Sequence, residues 1–488
     1  MNEIEFIDTT LRDAHQSLWG VKMSTAMAYQ IAAVVDRAGY KALDIAAPAH
    51  FVFLIRHFRE NPWERLRLLC EKIRKTPLSI MMLASSFVTF NPMKGPIFDL
   101  MMKRCYANGL RRIQPMDASN NMSDIDETVQ YAKNAGLEVV VPLIFSITPV
   151  HTDEHFAQKA RDAVAMGAHA LYLKDPGGLL TPERIRTLVP AIQKNLNGLR
   201  LELHSHCTTG LAPLCYLEAV KLGVTTMHTA SLPLANGSSQ PSVENILKNV
   251  RRLGFWDRMD DESLKIIADY FSSAARCEGL PVGAPLEFDL WQYEHQIPGG
   301  VISNLSRQLL DIGQAHRFDE VVEESIRVRK DLGYPIMVTP FSQYVVTQAT
   351  LNVLLGERYK EVIDEVIKLA MGYYGRQAGD VDQDLLDRLE SLPKTKEYAH
   401  WEVPRPTIKE LRGKYGLEVS DDELLLRILC QGENDIKAMH AAGPIKTYYP
   451  YPQKPLMALI KNWAVRNKPS YVYIRKGDFS LKLGKHVK

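Results

Sequence analysis

A strand-like run followed by a helix-like run recurs eight times before about residue 255, and this alternation limits the fold more than any other feature of the sequence. The strand-like runs are short and apolar, and each following segment carries its apolar residues on one side of a helix. The predicted strands are Glu5–Asp8, Ala42–Ala46, Ser79–Leu83, Arg112–Met116, Glu138–Phe145, Ala170–Lys174, Leu201–His204 and Val224–Thr229. Eight βα units in succession fit a closed parallel barrel better than an open sheet. The sequence therefore predicts an α/β fold that begins with a TIM (β/α)8 barrel.

Helical patterns replace the alternation after residue 258. They cover Asp261–Cys277, Leu305–Ile312, Phe318–Asp331, Pro340–Leu354, Lys360–Met371, Asp421–Cys430 and Asp435–Ala442. The segment Leu392–Pro406 is rich in Lys, Glu and Pro and is typical of a linker, and Ser470–Gly484 has the pattern of two short strands. We expect a barrel at residues 1–257, a helical region at 258–392 that caps the barrel and completes the active site, and a linker with a helical and short-strand tail at 393–488.

The overall charge argues against two classes of partner. Lys and Arg number 59 and Asp and Glu 57, so the net charge of +2 supplies no field that would attract nucleic acid or an anionic membrane. The acidic N-terminus does not resemble a signal peptide, and no apolar run reaches the roughly 18 residues of a membrane span. Six scattered cysteines fit reduced thiols. We expect a cytoplasmic protein without a membrane span and without nucleic acid as a partner.

Polar residues follow several predicted strands, at the end of the barrel where TIM-barrel enzymes hold their reactive groups. Residues 8–17 form a dense polar run after the first strand. The seventh strand ends in His204-Ser205-His206, and its period of two turns both imidazoles to one side, within reach of a single metal ion. Asp13 is the candidate for an oxygen ligand from another strand. This spacing predicts a metal centre at the mouth of the barrel.

Lys174, at the end of the sixth strand, has several interpretations. A protonated lysine cannot bind a cation, but carbamylation by carbon dioxide would convert its amine into an anion with oxygen donors. The lysine could instead pair with Asp175, or serve as the amine of a Schiff-base aldolase. Metal ligation by His204 and His206 argues against the aldolase.

Several motifs occur in a fixed order along the chain and together resemble one enzyme family. They are Asp-Thr-Thr-Leu-Arg-Asp-Ala-His-Gln-Ser at 8–17, Leu-Lys-Asp at 173–175 followed by Gly-Leu-Leu-Thr-Pro at 178–182, His-Ser-His at 204–206 and Pro-Gly-Gly-Val-Ile-Ser-Asn-Leu at 298–305. These motifs resemble the carboxyltransferase domains of pyruvate carboxylase, the oxaloacetate decarboxylase alpha subunit and transcarboxylase. The likeness extends over about residues 3–445.

The resemblance implies roles for individual residues. The implied metal ligands are Asp13, carbamylated Lys174, His204 and His206. Gln16 would contact the acceptor, with Arg12 as a further substrate-binding candidate, and the hydroxyl of Ser303 would move a proton between biotin and the acceptor. The donor set suits a divalent metal, and zinc is favoured over manganese or cobalt.

The resemblance also implies partners. The sequence has no Ala-Met-Lys-Met-like attachment site and no phosphate-binding loop of the Gly-X-X-X-X-Gly-Lys-Ser/Thr type. Biotin is therefore expected on a separate carrier protein, and its ATP-dependent carboxylation on a separate biotin carboxylase. We expect a small-molecule acceptor and a homodimer or higher oligomer.

Two departures from the family concern the acceptor. Many relatives have an arginine after the third strand where this chain has Leu83, and the loop after the second strand is also altered. An apolar side chain cannot form the paired hydrogen bonds that fix a carboxylate, so we expect an acceptor other than pyruvate. Two alternatives stay open at this point: a biotin-independent metal-dependent aldolase or lyase of the HMG-CoA-lyase-like superfamily, and a non-catalytic scaffold component of a carboxylase.

Overall fold

The computed structural model describes residues 3–84, 86–87, 91–398, 401–448, 470–477 and 479–485. Eight parallel strands close into a barrel in chain order, because β1 pairs with both β2 and β8. They are β1 (Glu5–Asp8), β2 (Ala42–Ala46), β3 (Leu78–Leu83), β4 (Arg112–Met116), β5 (Glu138–Ile144), β6 (Ala170–Asp175), β7 (Arg200–Ser205) and β8 (Thr226–Thr229). The predicted TIM barrel is therefore confirmed, and every predicted strand is present within two residues of its expected bounds.

Helices follow the strands and cover the outside of the barrel. They are α1 (His15–Trp19), α2 (Thr25–Val35), α3 (Pro48–Phe53), α4 (Pro62–Lys72), α5 (Pro96–Ala107), α6 (Met122–Asn134), α7 (Asp153–Ala165), α8 (Pro182–Gln193), α9 (Ala212–Lys221), α10 (Val243–Arg252) and α11 (Asp261–Glu278). Local sequence explains their starts. Thr181, for example, accepts a hydrogen bond from the backbone N–H of Arg184, and Pro182 occupies the first turn, where its missing N–H costs nothing.

A helical region with its own apolar core follows the barrel, as expected. Its helices are α12 (Trp291–His295), α13 (Gly299–Asp311), α14 (Phe318–Asp331), α15 (Phe341–Leu355), α16 (Asp364–Ala370), α17 (Gln383–Glu390) and α18 (Pro393–Tyr398). α13 begins earlier than predicted, directly after Pro298. Proline interrupts an apolar pattern, but it is readily accommodated immediately before a helix. The predicted linker differs as well, since its first residues form α18.

The chain then returns to the barrel. Helices α19 (Ile408–Tyr415), α20 (Asp421–Cys430) and α21 (Glu433–Ala442) bury their apolar sides in the same core as the barrel. Asp422 of α20 lies 2.7 Å from the Nε of Arg104, and Asp435 of α21 lies 3.0 Å from the Nε of Arg56. The predicted strands of the tail are confirmed as an antiparallel hairpin of β9 (Ser470–Lys476) and β10 (Phe479–Lys485). Among the described residues, no helix is both long and apolar enough to cross a lipid bilayer.

Candidate metal centre and active site

Four polar side chains from three parts of the barrel meet at its C-terminal end. Asp13 lies in a π-helical turn that follows β1, Lys174 lies near the end of β6, His204 lies in β7, and His206 follows that strand. All four are buried, with 6 % or less of each residue exposed. The structure thus brings together the four residues that the sequence indicated as metal ligands.

The distances between the donor atoms suit a metal ion. Nε2 of His206 lies 3.2 Å from Oδ1 of Asp13 and 3.2 Å from Nε2 of His204. A tetrahedral ion with bonds of about 2.0–2.1 Å holds its ligand atoms roughly 3.3 Å apart, which is close to these values. Nζ of Lys174 lies 3.7 Å from Oδ2 of Asp13, at the edge of the same cluster. The residues present therefore fit a small divalent metal in both their geometry and their donor chemistry.

The hydrogen-bond partners of the two histidines determine which ring nitrogen carries the proton. Nδ1 of His206 lies 2.7 Å from the carbonyl oxygen of Ser238, which can only accept, so in the neutral ring Nδ1 donates and Nε2 keeps its lone pair. Nδ1 of His204 lies 3.4 Å from Nδ1 of His228, whose Nε2 donates to Glu202 at 2.9 Å. His228 then accepts at Nδ1 from His204. Both metal-facing Nε2 atoms are left unprotonated, as ligation requires.

Electrostatics maintain this pattern of protonation. Burial holds the pKa of His204 well below its usual range, so the ring is neutral. Burial alone would raise the pKa of Glu202, but the Arg112 guanidinium and His228 lower it well below the ordinary value, so the carboxylate is ionised. Asp13 is ionised for a similar reason, because Arg12 overcomes the effect of burial on its pKa. Neutral imidazoles and an ionised carboxylate are the forms that bind a cation.

The environment of Lys174 separates two of the alternatives left open by the sequence. Asp175 does not pair with it: Asp175 accepts the backbone N–H groups of Leu179 and Leu180, both at 2.9 Å, and the hydroxyl of Ser205 at 2.7 Å. Burial lowers the pKa of Lys174 to about 8, with a further contribution from Arg12. Because carbon dioxide reacts with a neutral amine, this lowered pKa raises the fraction of Lys174 that can react near neutral pH.

The remaining predicted site residues are Arg12, which contacts the cluster, and Gln16 and Ser303, which do not. Arg12 is 1 % exposed, and its guanidinium donates to Asp13 at 2.6 Å and to Asp44 at 2.7 Å, so its donors already serve a metal ligand. Gln16 is exposed on α1. Ser303 is exposed on α13 and donates to the carbonyl of Gly299 at 2.9 Å. Within the described contacts, neither Gln16 nor Ser303 touches the four clustered residues.

α13 nevertheless begins beside the metal centre. A Cβ placed on Gly299 would lie 3.9 Å from Cβ of Ser238, the residue whose carbonyl orients His206. The first turn of α13 therefore lies against the loop that follows β8. Ser303 lies one helical turn farther along the same helix.

The sequence interpretation missed three residues that contact the candidate ligands or orient them through another side chain. Glu202 and His228 orient His204, and the amide of Gln240 touches Asp13. A signal for Glu202 was present, because it lies two residues before His204 on the same strand and so faces the same side. His228 and Gln240 come from β8 and the loop after it, and neither forms a local motif with the other ligands.

Comparison with known proteins gives matches along most of the chain. Residues 293–442 match the family described as Conserved carboxylase domain, and residues 111–269 match the family described as HMGL-like. One of the pyruvate carboxylase subunits of Methanocaldococcus jannaschii is 36% identical over 389 residues, which cover 79% of this chain and 68% of that protein. The methylmalonyl-CoA carboxyltransferase 5S subunit of Propionibacterium freudenreichii is 30% identical over 433 residues, covering 87% of this chain and 85% of that protein.

A solved structure has the same fold. The carboxyl transferase domain of Rhizobium etli pyruvate carboxylase, determined with pyruvate, superposes with a TM-score of 0.82 at 20% identity. The match covers 100% of this chain and 84% of that one. The fold likeness therefore includes the helical region as well as the barrel.

Proposed function

Because the chain belongs to the family of biotin-dependent carboxyltransferases that includes these pyruvate carboxylase and methylmalonyl-CoA carboxyltransferase components, we propose that it transfers a carboxyl group between carboxybiotin and a small carbonyl or keto-acid acceptor. The proposal rests on one observation, the cluster of Asp13, His204 and His206 with Lys174 beside it at the barrel mouth. A lyase that uses the same barrel does not need this lysine, and a scaffold component needs none of the four residues.

The proposed metal is a divalent ion, with zinc favoured over manganese or cobalt because two imidazoles and anionic oxygens form its ligand set. Asp13, His204, His206 and the carbamate of Lys174 would hold it. When bound, the ion supplies Lewis acidity that makes the carbon next to the acceptor carbonyl easier to deprotonate. Arg12 keeps the Asp13 carboxylate ionised and oriented, as a positioning residue.

Ser303 is proposed to move the proton. Its hydroxyl hydrogen donates to Gly299, so the oxygen lone pairs are available to accept a proton from the acceptor carbon while the hydroxyl hydrogen passes to biotin. Gln16, exposed on α1, is proposed to hydrogen-bond the acceptor. The exposure of both side chains agrees with residues that meet substrates arriving from solvent.

The acceptor is proposed to be a compound other than pyruvate. Leu83 is half-buried and packs in an apolar cluster with Met116, Ile144 and Ile336. A carboxylate next to this cluster would lose water without gaining a paired donor, at a cost of about 1–3 kcal/mol or more for a charged group. A larger keto acid or a less polar carbonyl compound, held by other residues, avoids this cost.

Carboxybiotin is proposed to arrive on a separate biotin carrier protein, with a biotin carboxylase supplying its carboxyl group. The Methanocaldococcus jannaschii relative is by its name one component of a pyruvate carboxylase, and the 5S relative is likewise a component of its enzyme. We also propose that the chain acts in the cytosol, as a homodimer or higher oligomer.

The test supplies carboxylated biotin carrier protein to the purified chain and measures transfer to a series of keto acids and ketones, together with metal content. We expect near-stoichiometric metal and transfer to at least one acceptor. Lys174→Ala should abolish transfer, whereas Lys103→Ala, which removes an exposed lysine paired with Asp99, should leave it unchanged. Absence of bound metal would contradict the proposal, and metal without transfer to any acceptor would favour the scaffold alternative.

A further inference from the structure

Arg329, on α14 of the helical region, is a buried cation whose hydrogen bonds go to neutral groups. It is 4% exposed, and its Nε donates to the carbonyl oxygen of Pro335 at 3.0 Å while its Nη2 donates to the hydroxyl of Ser146 at 2.8 Å. Within the described contacts, no carboxylate pairs with Arg329 and its Nη1 makes no hydrogen bond. A guanidinium has five N–H groups, so most of its donors remain for a ligand.

The ionisable groups around Arg329 do not neutralise its charge. Burial lowers the pKa of Arg329 to about 10, with only the phenol of Tyr334 acting in the opposite direction, so the side chain stays charged at neutral pH. The nearby imidazole of His151 is neutral, because burial lowers its pKa to about 3. An uncompensated charge is costly inside a protein, and groups perturbed in this way are concentrated at functional sites. Arg329 therefore indicates a binding site for an anion.

Arg329 lies beside the apolar cluster that contains Leu83. The first of its two acceptors directly precedes Ile336, and the second lies two residues after Ile144. Ile336 and Ile144 are both members of that cluster. The guanidinium is therefore close to the position at which many relatives have an arginine, but it comes from the helical region and not from the loop after β3.

The apolar cluster faces the mouth of the barrel. Side chains alternate along β3, and Ile80 and Met82 are fully buried in the core that the strands share with the surrounding helices. Met81 and Leu83 point the other way, to the inside of the barrel, and both are partly exposed. A ligand that enters the mouth can therefore pack its apolar part against Met81 and Leu83.

The register of the strands relates Arg329 to the metal centre. Ile144 of β5 pairs with Lys174 of β6, and the N–H of Phe145 still donates to the carbonyl of Lys174 at 2.7 Å. With strands about 4.8 Å apart and a rise of about 3.3 Å per residue, the Cα of Ser146 lies roughly 8 Å from that of Lys174. A ligand that reaches both the metal centre and Arg329 must therefore hold its anionic group several bonds away from its reacting carbonyl.

We propose that Arg329 binds the carboxylate of the acceptor, and that this acceptor is an oxo acid with two or more methylene groups between its carboxylate and its carbonyl. The inference rests on the proposed function and deepens it. The carbonyl lies at the metal centre, the methylene groups pack against Met81 and Leu83, and the carboxylate accepts from the free N–H groups of Arg329. Transfer replaces one hydrogen on the carbon next to the carbonyl by the carboxyl group, and that hydrogen passes to biotin as a proton.

The experiment measures binding to the metal-loaded chain by isothermal titration calorimetry, and transfer from carboxylated carrier protein. The probes are 4-oxopentanoate, 5-oxohexanoate, pyruvate and 2-hexanone, which has a methyl group in place of the carboxylate of 5-oxohexanoate. The variants are Arg329→Met, which removes the charge, and Arg329→Gln, which also removes it but keeps N–H donors for the two neutral acceptors. Arg327→Met is the matched control, because Arg327 lies on the same helix with its side chain 63% exposed.

The wild type should bind one of the two longer oxo acids at least about tenfold more tightly than pyruvate or 2-hexanone. Arg329→Met and Arg329→Gln should lose that preference while metal content and 2-hexanone binding stay unchanged, and Arg327→Met should behave like the wild type. Failure of the metal-loaded wild type to prefer either oxo acid would overturn the inference. Undiminished oxo-acid binding in Arg329→Met, or in Arg329→Gln if the methionine variant does not fold, would overturn it as well. A wild-type chain that binds no metal would instead overturn the proposed function.

Discussion

Replacing Glu202 by glutamine should weaken metal binding. Glu202 does not contact the proposed ligands directly within the described contacts, but it is linked to His204 through His228. The carboxylate accepts the hydrogen of His228 Nε2, which leaves His228 Nδ1 free to accept from His204. If the glutamine donates its amide N–H to Nε2 of His228, the ring hydrogen of His228 must lie on Nδ1. That hydrogen then points at the hydrogen on Nδ1 of His204, and the two repel each other. His204 must move its proton to Nε2, the atom that faces the metal.

The expected magnitudes follow from this geometry. Loss of an outer partner of a ligating histidine typically lowers metal affinity by about 10–100-fold, or roughly 1.4–2.7 kcal/mol. Glu202 and Arg112 are both completely buried, so removing the charge of Glu202 leaves Arg112 with only the more distant Glu138, at 3.6 Å, to offset its charge, and we expect a loss of about 3–5 kcal/mol of unfolding free energy. Chelator competition measures the first effect, and urea unfolding of the metal-free chain measures the second.

Glu138→Gln is the matched control. Glu138 lies 2.8 Å from Arg200 and 3.6 Å from Arg112, but its side chain is 34% exposed, and within the described contacts it does not touch His228. We expect a loss of less than about 1 kcal/mol and unchanged metal affinity, as for other exposed ion pairs. A Glu202→Gln variant that binds metal within about threefold of the wild type would refute the argument that this chain of hydrogen bonds sets the tautomer of His204.

Three further predictions concern proton transfer, the acceptor and pH. Ser303→Ala should slow carboxyl transfer by about 10²–10⁴-fold with unchanged metal content, whereas Ser306→Ala on the same helix should not; equal rates would remove Ser303 from the mechanism. Pyruvate should be a poor acceptor because of Leu83, and rapid pyruvate carboxylation by the wild type in the same carrier assay would contradict this. Burial raises the pKa of Asp8 to about 7 from 3.8, so its contribution to stability, present below pH 4, is lost as the pH rises through 7. Asp8→Asn should therefore gain about 2–3 kcal/mol relative to the wild type in urea unfolding between pH 5 and pH 8, and a constant difference would argue against the shift.

Much of the barrel could be predicted because its signals are local. β5, Glu138–Ile144, is a nearly continuous apolar run of the kind that a strand buried on both faces requires, and its predicted span differs from the observed one by a single residue. The His204 and His206 pair was also recognisable, since a period of two within one strand fixes which side chains share a face. These features need only a few neighbouring residues to be recognised.

The parts that could not be predicted depend on contacts between distant segments. Arg12 stays a candidate for binding substrate, but its contact with Asp44, 32 residues away on the next strand, could not be predicted from the local sequence. Gln240 reaches Asp13 across 227 residues of sequence, because β8 closes the barrel against β1. The packing of α20 against the barrel was missed for the same reason, as its apolar pattern predicts a helix but does not identify the surface that the helix covers.

The return of the chain to the barrel has a consequence for how the mouth opens. The helical region follows α11 and is connected at its other end to α19–α21, which pack in the barrel core. Both ends of the region are therefore connected to the barrel. A region that is connected to a domain at one end can rotate about that connection in many directions. A region that is connected at both ends can rotate only about the line that joins the two connections. If the second connection is cut, the first connection, after α11, still tethers the helical region and keeps it at a high local concentration beside the barrel. A single proteolytic cut within the described residues 401–407 should therefore leave the helical region bound to the barrel.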